Sequence, residues 1–123
     1  MNKKIFPIII IVIVLIIGAG IWLSWQTKSN ATPDSIATLA QCLNQKGVTM
    51  YGAAWCSHCQ NQKQLFGDAF KYINYVECPD NTELCLQKGV SGYPTWILGD
   101  GQILLGEQSL DNLAAKSGCP LPQ

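Results

Sequence analysis

The sequence predicts an α/β domain, a mixed sheet covered by helices on both faces, preceded by one long apolar helix. Three observations carry this. Apolar residues switch between helical and strand periods along 34–119, a Gly-Asp-Gly turn separates two late strands, and the chain's one Cys-x-x-Cys falls where a strand gives way to a helix.

The first element is the apolar run over 5–25, unbroken by a polar side chain from Ile8 to Ile17. As a helix it rises about 30 Å, the thickness of a bilayer's hydrocarbon core. Trp22 and Trp25 stand near one end, where indoles favour the membrane boundary, and Lys3 and Lys4 precede the run while only Lys28 follows closely. The expectation is a cytoplasmic terminus (1–4), a transmembrane anchor (5–25), a polar linker (26–33) and a domain over 34–123 outside the cytoplasm, in the periplasm or a lumen: a single-pass protein of the cell membrane. A cleaved signal peptide shares the basic start, but its apolar core is shorter, about 7–15 residues, and Ser29-Asn30-Ala31 is a poorly placed cleavage site.

Composition narrows the function. Eight acids balance eight bases, every base is a lysine, and no basic cluster follows Lys3-Lys4, so nothing is built to grip nucleic acid. The six cysteines (Cys42, Cys56, Cys59, Cys78, Cys85, Cys119) all follow the apolar run, which fits an oxidising compartment.

Within the domain, Pro33-Asp34-Ser35 opens a helix whose Ile36, Leu39, Ala40 and Leu43 share a face before Gly47 stops it. Val48 to Tyr51 reads as a strand. After Gly52-Ala53-Ala54-Trp55 a second helix begins at Cys56, with Leu65, Phe66, Ala69 and Phe70 facing inward. Tyr75 to Glu77 is a brief strand, and Thr82 to Lys88 a short helix closed by Gly89. Strands at Thr95–Leu98 and Gln102–Leu105 flank Gly99-Asp100-Gly101, and Ser109 caps a last helix ending at Gly118.

Two cysteines three apart at a helix start can close a small disulfide ring, and the helix N-terminus stabilises a thiolate there. Cys56 is the expected exposed nucleophile and Cys59 the shielded resolving thiol. His58 lies between them, the only histidine in the chain; an imidazole beside Cys56 lowers the thiol pKa and makes the disulfide a stronger oxidant. Gly92-Tyr93-Pro94-Thr95, just before a strand, suits a cis Tyr93–Pro94 bond, leaving a groove where a substrate backbone can pair beside the disulfide.

Together, Trp55-Cys56-x-x-Cys59 and Val90 through Thr95 resemble the thioredoxin superfamily. The stretches Met50 to Cys56, Gln60 to Lys63, Leu65 to Gly67, Tyr75 to Cys78 and Gly92 to Trp96 are similar to the thioredoxin-like domain fused to bacterial and plant homologues of vitamin K epoxide reductase. The resemblance implies a thioredoxin fold and a domain that passes disulfides between a membrane partner and exported, thiol-containing proteins. It also implies a disulfide between Cys78 and Cys85, whose small loop stabilises by about 2–3 kcal/mol; a second redox relay is the alternative for that pair. Three departures stand out. Ser57 replaces the family's usual Pro, the quinone-binding helical bundle has no counterpart, so a membrane redox partner in trans must recharge the pair, and Met50 occupies the place of the buried acid of thioredoxins proper.

Cys42 and Cys119 remain by parity. They either pair, stay as free buried thiols, or supply one disulfide to another chain. The expected function is a membrane-anchored thiol–disulfide oxidoreductase acting as an oxidant. A reductase or isomerase is the alternative within the class, and a copper-binding chaperone using Cys56, His58 and Cys59 is the alternative outside it. Zinc wants four ligands, which the spacing of Cys78 and Cys85 does not complete, and no nucleotide, flavin or haem motif is visible, so no cofactor and no metal are expected.

Overall fold

The computed structural model describes residues 6–24 and 32–122, which fall into two compact units, Met1–Asn30 and Ala31–Gln123. The expectations for residues 1–5, for Trp25 and for most of the linker lie outside the described residues, as does that for the Trp22 indole.

In the first unit, helix α1 spans Phe6–Ser24, with no acid in its first turn and no base in its last. Its side chains are described over 7–21. No helix among the described residues is long and apolar enough to cross a membrane. The anchor expected over 5–25 is corrected on this ground. So is the single-pass placement, with its extracytoplasmic domain, that was built on it.

The second unit opens with α2, Pro33–Gln45. Thr32 caps it by accepting the Ser35 N–H at 3.3 Å, and Pro33 sits in the first turn, where its missing N–H costs nothing. Strand β1 (Thr49–Gly52) leads into α3 (Ser57–Phe66), a 3-10 turn (Gly67–Tyr72) and β2 (Asn74–Glu77). Then come the short α4 (Thr82–Gln87), β3 (Thr95–Ile97), β4 (Ile103–Leu105) and α5 (Leu110–Ser117). Ser109 caps α5 by accepting the Asn112 N–H at 3.1 Å, and Gly118 closes it.

The second helix is shorter than its apolar pattern suggested. Gly67 takes a φ of +52°, where a side chain is strained, and α3 ends at Phe66. Ala69 and Phe70 therefore reach the core from the 3-10 turn, and Leu65, expected inside, is 46% exposed.

The sheet order is β2-β1-β3-β4. Strands β1 and β2 pair in parallel because a helix crosses between them, and the hairpin makes β3 and β4 antiparallel. Successive residues face opposite sides. Met50, opposite Trp96, points into the main core with Leu39, Leu43, Phe66 and Leu113. Tyr51, opposite Val76 and Thr95, points into a smaller cluster with Cys78 and Cys85 under α4. Both faces are thus covered around a mixed sheet: a thioredoxin-like α/β fold. Two disulfides close it, Cys42–Cys119 with a Cα–Cα distance of 5.9 Å and Cys78–Cys85 with 5.8 Å.

Candidate active site

Strand β1 ends at Gly52, and the turn through Trp55 is held by the Cys56 N–H donating to the Ala53 carbonyl at 3.1 Å. This sets Cys56 at the N-cap of α3, where its sulfur accepts the Cys59 N–H at 3.3 Å, the place a serine oxygen takes in an ordinary cap. The sulfur therefore sits at the positive end of a ten-residue helix. Cys56 and Cys59 are the free cysteines among the described residues.

Across from them the Tyr93–Pro94 bond is cis. The Cys56 thiol donates to the Tyr93 carbonyl at 3.8 Å. Trp55, 73% exposed, stands edge-on to the Tyr93 ring at 6.0 Å. The thiol, 8% exposed, and the Tyr93 carbonyl thus lie just beneath a rim on which Trp55 is exposed and Tyr93 half-buried.

Cys59 is wholly buried. Burial pushes its thiol up to about 11, the hydrogen bond with Cys56 pushes the same way, and the Ala53 backbone and the Lys63 charge pull it back. Its room comes from Gly52: a Cβ there would lie 2.8 Å from the Cys59 sulfur. Cys56, expected as an exposed nucleophile, is itself 8% exposed because it is folded under the helix end against the Tyr93 carbonyl, and Cys59 is sealed wholly behind it.

His58 points outward, 70% exposed, and its Nδ1 lies 2.6 Å from Glu107 Oε1. With a carboxylate as acceptor, Nδ1–H is the donor. Glu107 also accepts from the Asn61 amide at 3.3 Å. The His58 hydrogen bond holds the Glu107 carboxyl below its ordinary range. Glu107 had no signal in the sequence, since it lies 49 residues from His58 in the loop before α5.

Two further groups escaped the sequence reading. Gln62, buried on α3, accepts from Trp96 Nε1 at 3.2 Å and from the Gln108 N–H at 2.6 Å, and donates to the Gln108 carbonyl at 2.9 Å. At the end of β2, Glu77 accepts the Ala54 N–H at 2.7 Å and the Tyr75 hydroxyl at 2.6 Å. The Tyr75 bond holds the Glu77 carboxyl below its ordinary range, and burial, with Glu77's help, raises the Tyr75 phenol. Glu77 thereby pins the approach to Cys56. Cys78 and Cys85 sit on the far face of the sheet, and Cys42 and Cys119 join α2 to the segment after α5. Among the described residues no group of three or more His, Cys, Asp and Glu side chains could hold a metal ion.

No family model matches the chain. It is 44% identical over 107 residues to the thiol-disulfide oxidoreductase LTO1 of Arabidopsis thaliana, covering 80% of this chain and 28% of that protein. It is 32% identical over 82 residues to the protein disulfide isomerase-like 2-1 of Oryza sativa subsp. japonica, covering 54% of this chain and 22% of that one. With the protein disulfide-isomerase of Humicola insolens it shares 31% identity over 77 residues, 57% of this chain and 14% of the other. The chain thus spans less than a third of the length of each of these relatives. The structure of thioredoxin NaTrxh from Nicotiana alata aligns with a TM-score of 0.47 at 19% identity, over 56% of this chain and 67% of that one.

Proposed function

We propose that this chain, a thioredoxin-like protein disulfide oxidoreductase, runs as an oxidant: it donates a Cys56–Cys59 disulfide to thiol-containing proteins and is recharged in trans by a quinone-linked redox partner. One observation carries the reading. A free Cys56 caps α3 and faces the Tyr93 carbonyl, while its partner Cys59 is sealed behind it. The oxidoreductase names of the relatives support the class of reaction.

In the cycle a substrate thiolate attacks the Cys56 sulfur of the oxidised pair. The Cys56–Cys59 bond breaks, Cys59 leaves with the electron pair and takes up a proton, and a mixed disulfide joins Cys56 to the substrate. A second substrate thiolate then attacks the substrate's own sulfur. The substrate disulfide forms, Cys56 leaves as a thiolate, and two electrons have passed to the domain. The departing Cys56 sulfur sits at the N-terminal, positive end of α3, and in this reading His58, turned outward and held to Glu107, tunes the pair from the first turn of the same helix. Tyr93 and Pro94 would seat the substrate's backbone during the exchange. The likeness to the thioredoxin-like domain of vitamin K epoxide reductase homologues belongs to this reading, with Ser57 in place of proline giving the pair a potential of its own.

The isomerase names of two relatives favour a second reading, in which the reduced pair reshuffles wrong disulfides. Two measurements test the thiol chemistry that both readings share. Cys56→Ala abolishes disulfide transfer to a reduced test protein, and Cys59→Ala accumulates covalent substrate complexes; transfer surviving in Cys56→Ala sinks the assignment. A reduction potential near about −120 to −180 mV supports donation or isomerisation, and one near about −270 mV makes the domain a reductase.

A further inference from the structure

Lys63 lies one turn beyond Cys59 on α3, and at a spacing of four residues the two side chains leave the helix on the same side. Its ammonium is seated 3.8 Å from the Tyr75 ring centroid and 5.3 Å from that of Phe70, a cation held against aromatic faces. Tyr75 is itself fixed, because its hydroxyl donates to Glu77, whose other oxygen holds Ala54. The edge of that same ring and the buried sulfur both border the space above Gly52. A Cβ built there would lie 2.8 Å from Cys59 Sγ, 3.3 Å from Tyr75 Cε2 and 3.4 Å from Tyr75 Oη. Cation, ring and buried sulfur therefore form one cluster on one side of β1. The titratable and charged groups that face Cys59 are Cys56 and Lys63 from α3, and Tyr75 with Glu77 behind it from β2. From β1 comes only the uncharged Met50.

We propose that Lys63 is a positioning residue for the exchange: its charge, seated on Tyr75, stabilises the thiolate that develops on the buried Cys59. This rests on the reading that Cys59 is the leaving sulfur. When a substrate thiolate attacks Cys56, the electron pair of the Cys56–Cys59 bond passes to the Cys59 sulfur, which stays negative until a proton arrives from solvent. Lys63 remains an ammonium throughout. Water cannot solvate that charge, since Cys59 is 0% exposed. Burial opposes ionisation of this thiol and Lys63 favours it. The reverse step, Cys59 attacking a mixed disulfide on Cys56, passes through the same thiolate and gains equally. At the effective dielectric of a protein site, one such charge near a reacting sulfur is worth about ten-fold in rate, falling to about three-fold where solvent screens it.

The test uses the oxidised full chain, with reduction by dithiothreitol followed by stopped-flow tryptophan fluorescence across pH. It also uses the Cys59 Cβ chemical shift of the reduced protein as its titration readout. Lys63→Met is expected to slow reduction by about three- to ten-fold and to move the Cys59 titration upward. Lys63→Arg, which keeps the charge, is expected to stay within about two-fold of the parent rate. If Lys63→Met leaves rate and titration unchanged, the proposal falls. It also falls if Lys63→Arg is as slow as Lys63→Met, because the side chain then acts by packing. A parent chain that exchanges no disulfide at all overturns the oxidoreductase reading and the inference together, a result distinct from normal exchange that ignores Lys63.

Discussion

Replacing Gln62 by leucine isolates what one buried polar side chain contributes. Gln62 is 0% exposed, and leucine is close enough in volume to leave little cavity, so the change is chiefly in hydrogen bonding. The substitution strands the Trp96 Nε1–H, the Gln108 N–H and the Gln108 carbonyl. Trp96 is wholly buried, so its orphaned donor costs toward the top of the usual range of about 1–3 kcal/mol. Gln108 is half-buried, and water can reach its two backbone groups, which places each near the bottom of that range. The sum is about 4–5 kcal/mol, and the added apolar burial returns about 1 kcal/mol. A net loss of about 3–4 kcal/mol lowers the Tm of a domain this size by roughly 12–30 °C. Urea unfolding with both disulfides intact measures it as a fall in the midpoint at unchanged slope. A loss under about 1 kcal/mol at the same slope would refute the reasoning, since Trp96 and Gln108 would then have found other partners at no cost.

Two other perturbations follow from the same structure. Removing Cys42 and Cys119 together, 77 residues apart, is expected to cost about 4–5 kcal/mol in the chain-entropy model, and removing Cys78 and Cys85, seven apart, about 2.5 kcal/mol. Denaturant midpoints of the two double variants rank them, and the reverse order would show that the unfolded chain is not the seat of the effect. The folded-state pKa of Glu77 is depressed below its ordinary 4.5, so its charge stabilises the domain above that value and the contribution is lost as pH falls through the folded value. The stability difference between the parent and Glu77→Gln should therefore narrow below about pH 4. A difference constant from about pH 7 to pH 3 would show that Tyr75 and Ala54 do not depend on an ionised partner.

Much of the domain was legible because its signals are local. Ser109 and Gly118 bound α5 as their backbone preferences dictate, the turn at Gly99 to Gly101 makes its hairpin, and a strand delivers Cys56 to a helix mouth. The Tyr93–Pro94 bond, read from a four-residue stretch, is cis. What the sequence hid depends on distance or on a single backbone angle. Glu107 meets His58 across 49 residues, and Gln62 looks like any polar helix residue until Trp96 closes over it. Gly67 sits inside an apolar pattern that continues on both sides, so the periodicity runs through a break that only its φ reveals. Cys42 and Cys119 stayed open for the same reason, because no local pattern says that two helix ends meet. The apolar run near the start gave an expectation of a membrane span that no helix among the described residues meets.

The bond between Cys42 and Cys119 makes most of the domain a closed covalent ring. A pull applied at Pro33 and at Leu121 would run along the first turns of α2, through the sulfurs and out again, so the sheet and the Cys56–Cys59 loop lie off the load path. A single peptide cut between those cysteines would likewise open the ring without dividing it, leaving two ends on one molecule. The exchange site thus sits on a part of the chain that neither tension nor one nick can draw away from its surroundings while the bridge holds.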